Sequence, residues 1–170
     1  AIAALDRVKE INPSHPSASM RQGSWLIAAG EMGRAVEVLS DVAEDNPQQA
    51  ETAVRLIFAD AYQKGVQQDR YQYAINGLTA AKQLPNLSSM WESQINFWHA
   101  YSLYTSAVAE QEPQTLETAE ATLPKFRRAL ALFRQAEEYA ASQQSITLAQ
   151  FLENANTYIE IQEAIIERGR

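Results

Sequence analysis

Apolar residues recur at helical intervals along nearly the whole chain, and twice they do so in register with a proline. Ala1, Leu5 and Val8 precede Pro13; Ala35, Leu39 and Val42 precede Pro47. Both sets have intervals of four, three and five, both end in an Asn-Pro step, and the two prolines lie 34 residues apart. Apolar positions three and four apart share one side of an α-helix. A helical pattern that returns every ~34 residues marks stacked helical hairpins. The pattern therefore predicts an all-α array.

The first complete unit spans 14–47. Met20, Gly23, Leu26 and Ile27 form the stripe of its first helix, Gly30-Glu31-Met32-Gly33 the turn, and Ala35, Leu39 and Val42 the second stripe. Gly23 and Ala35 are small where two helix axes must approach within ~8 Å. The second unit, 48–85, places Phe58, Ala59 and Tyr62 on its first helix, stops it at Gly65, and sets Tyr71, Ala74, Leu78 and Ala81 on its second. It is 38 residues long. The surplus is assigned to Gln67-Gln68-Asp69-Arg70, because turns absorb insertions at little entropic cost.

The third unit, 86–141, is irregular. Phe97-Trp98-His99-Ala100-Tyr101 echoes Phe58-Ala59-Asp60-Ala61-Tyr62, and Phe126, Ala129, Phe133 and Ala136 form its second stripe. Surplus residues gather around Glu110-Gln111-Glu112-Pro113. Residues 115–123 are predicted either as a short separate helix or as the first part of one kinked helix. Pro124 is placed near a helix start, where a missing N–H costs little. Residues 142–170 hold one more amphipathic helix, with Leu148, Phe151, Leu152, Ala155, Tyr158, Ile159, Gln162, Ile165 and Ile166 on one face. A single-faced helix at the end of an array fits a cap. Residues 1–13 read as the second helix of a preceding repeat, and a chain opening on Ala1 inside a helical pattern reads as the C-terminal part of a longer array.

These residues resemble the tetratricopeptide repeat (TPR), a helix–turn–helix family with a 34-residue period. Gly23 and Ala59 match its small residue in mid first helix; Leu26, Tyr62 and Tyr101 match the aromatic or leucine three residues on. Tyr71, Ala74, Leu78, Ala81 and Pro85 follow its second-helix pattern, as do Phe126, Ala129, Phe133 and Ala136 without the proline. Trp98 departs from it, standing where a small residue belongs. The resemblance implies a right-handed solenoid of about three repeats plus a capping helix, whose first helices line a concave groove. It also implies a non-enzymatic module that binds a protein or an extended peptide segment. The corresponding groove positions are Met20, Ser24, Ile27, Asp60, Gln63, Lys64, His99, Ser102 and Leu103. The Lys–Asn pair with which some family members clamp a terminal carboxylate is missing: Met20 and Ser24, Leu56 and Asp60, and Ile95 and His99 stand in its places. The alternative reading is a structural end-cap or self-association segment.

Composition narrows the partners. A net charge of −7 argues against nucleic acid and anionic membrane, both of which attract basic surfaces. Hydrophobic content of 46% with 21% charged residues is that of a soluble folded chain. No apolar run approaches the ~18 residues of a membrane span, and no signal pattern opens the chain. Without cysteine there is no disulfide or thiolate metal site. The sequence assigns no compartment and no oligomeric state.

No cofactor is expected. The histidines, His15 and His99, lack the spacing of zinc ligands. Asp60 and His99 on neighbouring first helices suggest a general-base pair, but no activated nucleophile accompanies them, and two groove-lining polar residues is the favoured reading. Trp91, Phe97, Trp98, Tyr101 and Tyr104 read as core with one edge open to the groove. Lys125, Arg127, Arg128 and Arg134 read as a solvated outer face. Asn86-Leu87-Ser88 matches a glycosylation sequon, a weak signal by itself.

Overall fold

Helix boundaries follow the caps that the sequence supplies. His15 accepts the Ala18 N–H on Nδ1 at 3.3 Å, and Pro16 takes the first helical position of α1 (Pro16–Ala28). There its missing N–H leaves nothing unpaired. Gly30 turns the chain at φ +79°, a conformation suited to glycine. Met32 and Gly33, expected in this turn, instead form the start of α2 (Met32–Asp45). The structure, a computed structural model, describes residues 15–169 and, before them, Ala4 and Arg7 alone. The expected helix over 1–13 lies outside the described residues.

A short 3-10 turn over Pro47–Gln49 leads into α3 (Ala50–Asp60). The helix then widens into a π-turn over Ala61–Gly65 and tightens over Val66–Gln68, and Asp69 reverses it at φ 55°. The surplus residues of the second unit are absorbed here, partly in the π-turn, which takes up more chain per turn than an α-helix. Helix α4 (Tyr71–Ala81) follows. Ser88 Oγ caps α5 (Ser89–Glu110) by accepting from the Trp91 N–H. Thr115 and Thr118 cap α6 (Leu116–Arg134) reciprocally. Of the two readings of 115–123 the second holds: α6 is one helix with Pro124 inside it, not near its start. The hydrogen bond that Pro124 cannot donate is offset by burial of Leu123, Phe126, Ala129, Leu130, Leu132 and Phe133. A short α7 (Glu137–Ser142) and the long α8 (Leu148–Gly169) complete the order. Among the described residues the fold is all-α, eight helices with no strand.

Packing runs mainly between neighbours in the chain: α1 on α2, α3 on α4, α4 on α5, α5 on α6. Two elements depart from that order, since α7 returns to α5 and α8 lies along α6. The core has two parts. Leu26, Leu39, Val54, Ile57, Leu78 and Ile95 centre the first; Phe97, Ala129, Leu132 and Phe133 centre the second. Helix α5 joins them, giving Ile95 to one and Phe97 to the other.

Small residues set how closely the hairpins shut. A Cβ on Gly23 would lie 2.5 Å from Leu39 Cδ2, and one on Gly65 only 2.6 Å from the Ala74 backbone. Gly65 thus does more than stop a helix: it lets α4 cross the π-turn in near-backbone contact. Ala74 is fully buried at that seam. Ala74→Leu should overpack it and cost about 1–3 kcal/mol. A circular-dichroism melt unchanged by the substitution would mean that the α3–α4 seam is misplaced.

Candidate functional site

Helix α3 with the π-turn that follows it, and helix α5, share a strip of aromatic rings. Phe58 near the end of α3 stacks on Tyr62 in the π-turn at 5.9 Å; Trp91 and Trp98 are two turns apart on α5 and Tyr101 follows three residues later, so these three lie on one side of that helix. Trp91 meets Phe58 edge-on at 5.4 Å between centroids, Trp98 meets Tyr62 at 4.8 Å, and Tyr101 meets Trp98 at 5.5 Å. Edge-to-face pairs of this kind add about 0.5–1.5 kcal/mol each beyond burial. Phe58 is buried, whereas Tyr62, Trp91, Trp98 and Tyr101 keep part of their surface in solvent.

Trp98 is held from two sides. Its ring leans across to Tyr62 of the π-turn, and its indole N–H donates to the Tyr139 hydroxyl at 3.2 Å. Of the aromatic cluster expected as core, only Phe97 is enclosed; Trp91, Trp98, Tyr101 and Tyr104 are half-buried. At one end of the strip, Trp91 borders a cavity of about 250 Å³ lined also by Pro47, Val54 and Leu87. Asn86 shapes its rim: held at φ 59°, it donates from Nδ2 to the Ala43 carbonyl at 3.0 Å. The sequon asparagine therefore has a structural partner. Sequence pattern does not reveal this cavity, because it depends on a loop folding back onto α2.

The nine expected groove residues do not share one surface. Ile27, Asp60, His99, Ser102 and Leu103 are buried, Met20, Ser24 and Lys64 are half-buried, and Gln63 is exposed. Asp60 and Lys64 are brought together, Lys64 Nζ lying 2.5 Å from Asp60 Oδ1. Tyr73 of α4, which the pattern does not single out, donates its hydroxyl to the other Asp60 oxygen. The hydrogen bond to Asp60 holds the Lys64 ammonium above its usual pKa despite burial. Burial first, then the same carboxylate, pushes the Tyr73 phenol up.

His99 does not pair with Asp60. It lies on the side of α5 where the charges acting on it are Arg128 of α6 and Lys82, which caps α4. Burial first, then those two cations, pushes its imidazole down to about 4. A neutral ring and a carboxylate already engaged by a lysine and a tyrosine do not make a general-base pair. Among the described residues no three His, Asp or Glu side chains converge to hold a metal ion, and no helix is long and apolar enough to cross a membrane.

No protein-family model, curated protein or solved structure matches this chain.

Proposed function

We propose that the chain is a TPR-like right-handed solenoid that works as a protein-interaction module, holding an extended peptide along the aromatic strip of α3 and α5 with no chemical step. The observation that carries this reading is the strip itself: four half-buried rings, Tyr62 just past α3 and Trp91, Trp98 and Tyr101 on α5, ending at a cavity of mixed polar and apolar lining. Trp and Tyr are the residues that most often dominate binding energy, since they offer large rigid surfaces at low entropic cost. The strip is already clamped by Tyr139 and by Tyr71 and Phe151 against Tyr101, so little ordering remains to be done on binding.

The test is selection of peptides from a random library on the immobilised protein, with affinities then read by tryptophan fluorescence. Peptides carrying apolar anchors are expected, and Trp91→Ala should weaken them about tenfold or more, as for a central anchor. Selected peptides that bind Trp91→Ala as well as the parent would sink the reading. One observation favours the alternative of self-association. Helix α8 shows solvent an exposed Ile161 beside half-buried Ile165 and Ile166, a patch of the kind that pairs subunits. A dimer in light scattering that Ile161→Lys dissociates, together with a library that yields no binders, would decide for it.

A further inference from the structure

We propose that α8 is a detachable lid over the ring-lined groove of α5 and α6, hinged at residues 143–147 and closed through a weak latch at Gln111 and Gln162. The proposal does not depend on what the aromatic strip binds.

Helices α5 and α8 are both 22 residues long, but they are seated differently. Nine residues of α5 and eight of the 19 in α6 are buried, against two in α8, Ala155 and Gln162. The larger apolar side chains of α8, among them Phe151, Tyr158, Ile159 and Ile165, all keep part of their surface in solvent. Yet α8 covers rings that have no exposure. Phe151 stacks on Phe133 at 5.1 Å, and Tyr158 stacks on Phe126 at 5.0 Å. The deep burial thus belongs to the groove and not to the helix that closes it. The chain enters α8 through Gln143-Gln144-Ser145-Ile146-Thr147, all exposed except Ile146, which is half-buried. Such a segment can take up the backbone rotation of a hinge at little cost.

The latch lies toward the other end of α8. Gln162 has no solvent exposure; its Nε2 donates to Gln111 Oε1 at 3.2 Å, and its own Oε1 has no hydrogen-bond partner. Exchanging the two ends of that amide moves the unpaired atom to nitrogen and does not remove it. On closure the carbonyl loses water and gains no donor, so the polar pair favours the open helix, in which both amides are hydrated. Among the described residues the ion pair across this seat is Arg127 with Glu163, which is exposed and adds little. Opening uncovers Phe97, Tyr104, Phe126 and Phe133, the rings that Phe151 and Tyr158 touch. A groove of that kind receives an amphipathic helix, and in the closed state its occupant is α8 of the same chain.

Native-state hydrogen exchange on the full chain at low urea reads the lid. Amides over 151–166 should exchange as one block, about ten- to hundredfold faster than the core amides of α5 and α6. Their urea dependence should be shallower, because opening exposes only part of the surface that unfolding does. Ala74→Leu, far from the lid, should speed the core amides about tenfold and leave the α8 block unchanged. Gln111→Met with Gln162→Met keeps the shape of the pair and removes its amides, and should slow the α8 block about tenfold. A thermal melt checks that each variant folds. Exchange of α8 at the rate and urea slope of α6, or an α8 block that quickens with Ala74→Leu, would overturn the lid. So would protection that falls stepwise toward Gly169 while 151–158 match α6, the mark of a frayed end. Unchanged or faster exchange of the block in the double methionine variant would overturn the latch.

Discussion

Phe133→Ala is expected to cost about 3–5 kcal/mol, the range for deleting a large ring from a close-packed core. Phe133 has no solvent exposure. Its ring stacks on Phe151 of α8 at 5.1 Å and meets Phe97 and Tyr104 of α5 edge-on at 5.7 and 6.4 Å. Three helices thus converge on one side chain. The hole cannot close easily, because Ala129 on the same face of α6 and Ala136 just beyond its end are both fully buried and without bulk to move in. Loss of the ring should therefore loosen α8 from α6 as well as lower global stability. At about 2–4 °C per kcal/mol for a chain of this size, the melting midpoint should fall by roughly 10 °C. Urea unfolding followed by circular dichroism gives the free energy. A loss under about 1 kcal/mol would mean that Phe133 does not sit where α5, α6 and α8 meet.

That stripe was legible in the sequence because helical periodicity reports which residues face inward. Phe126, Ala129, Phe133 and Ala136 are all fully buried, as the spacing predicts. Gly23 and Ala35 were legible as small residues at a close crossing, whereas the contact of Gly23 with Leu39 emerges only from the packing. What periodicity does not report is the path between stripes. The π-turn at Ala61–Gly65 and the continuity of α6 through Pro124 are tertiary outcomes. In both cases local preference yields to the burial gained by keeping the flanking helix faces against their neighbours.

The candidate site was less legible, and geometry gives the reason. Successive residues on a helix are about 100° apart, so an assignment one position out moves a side chain from groove to core. Ile27 and Ser102 are buried for this reason, while Gln63 beside them in the list of groove positions is exposed. The strip was half visible: the ring positions were identified, but their exposed edges depend on how α3 lies against α5. Lys82 and Tyr73 carried no pattern at all. Their roles exist only because α4 packs beside α5 and α3.

His99 should make the fold sensitive to mild acid, and the sign follows from its environment. The unfolded ring titrates near its ordinary value of 6.5, while in the fold burial, then Arg128 and Lys82, hold it down to about 4. As pH falls below about 6.5 the unfolded chain takes up a proton that the folded chain refuses, so stability is lost through the window down to about 4 and is flat above it. Each pH unit across that window costs about 1.4 kcal/mol, which sets an upper figure of roughly 3 kcal/mol. Carboxylates act with a similar sense but in a lower range. Burial pulls the Glu110 carboxyl up, but the hydrogen bonds from Lys125 and Ser106 together with the Lys125 charge outweigh it and hold the group below its ordinary 4.5, so it begins to contribute only near and below that value. The two effects therefore separate between about pH 6.5 and 4.5. Urea midpoints measured there in phosphate-free buffer should fall for the parent and hold nearly level for His99→Leu, which has no ring to protonate. Parallel slopes for parent and variant would show that His99 is not the group that couples protons to folding.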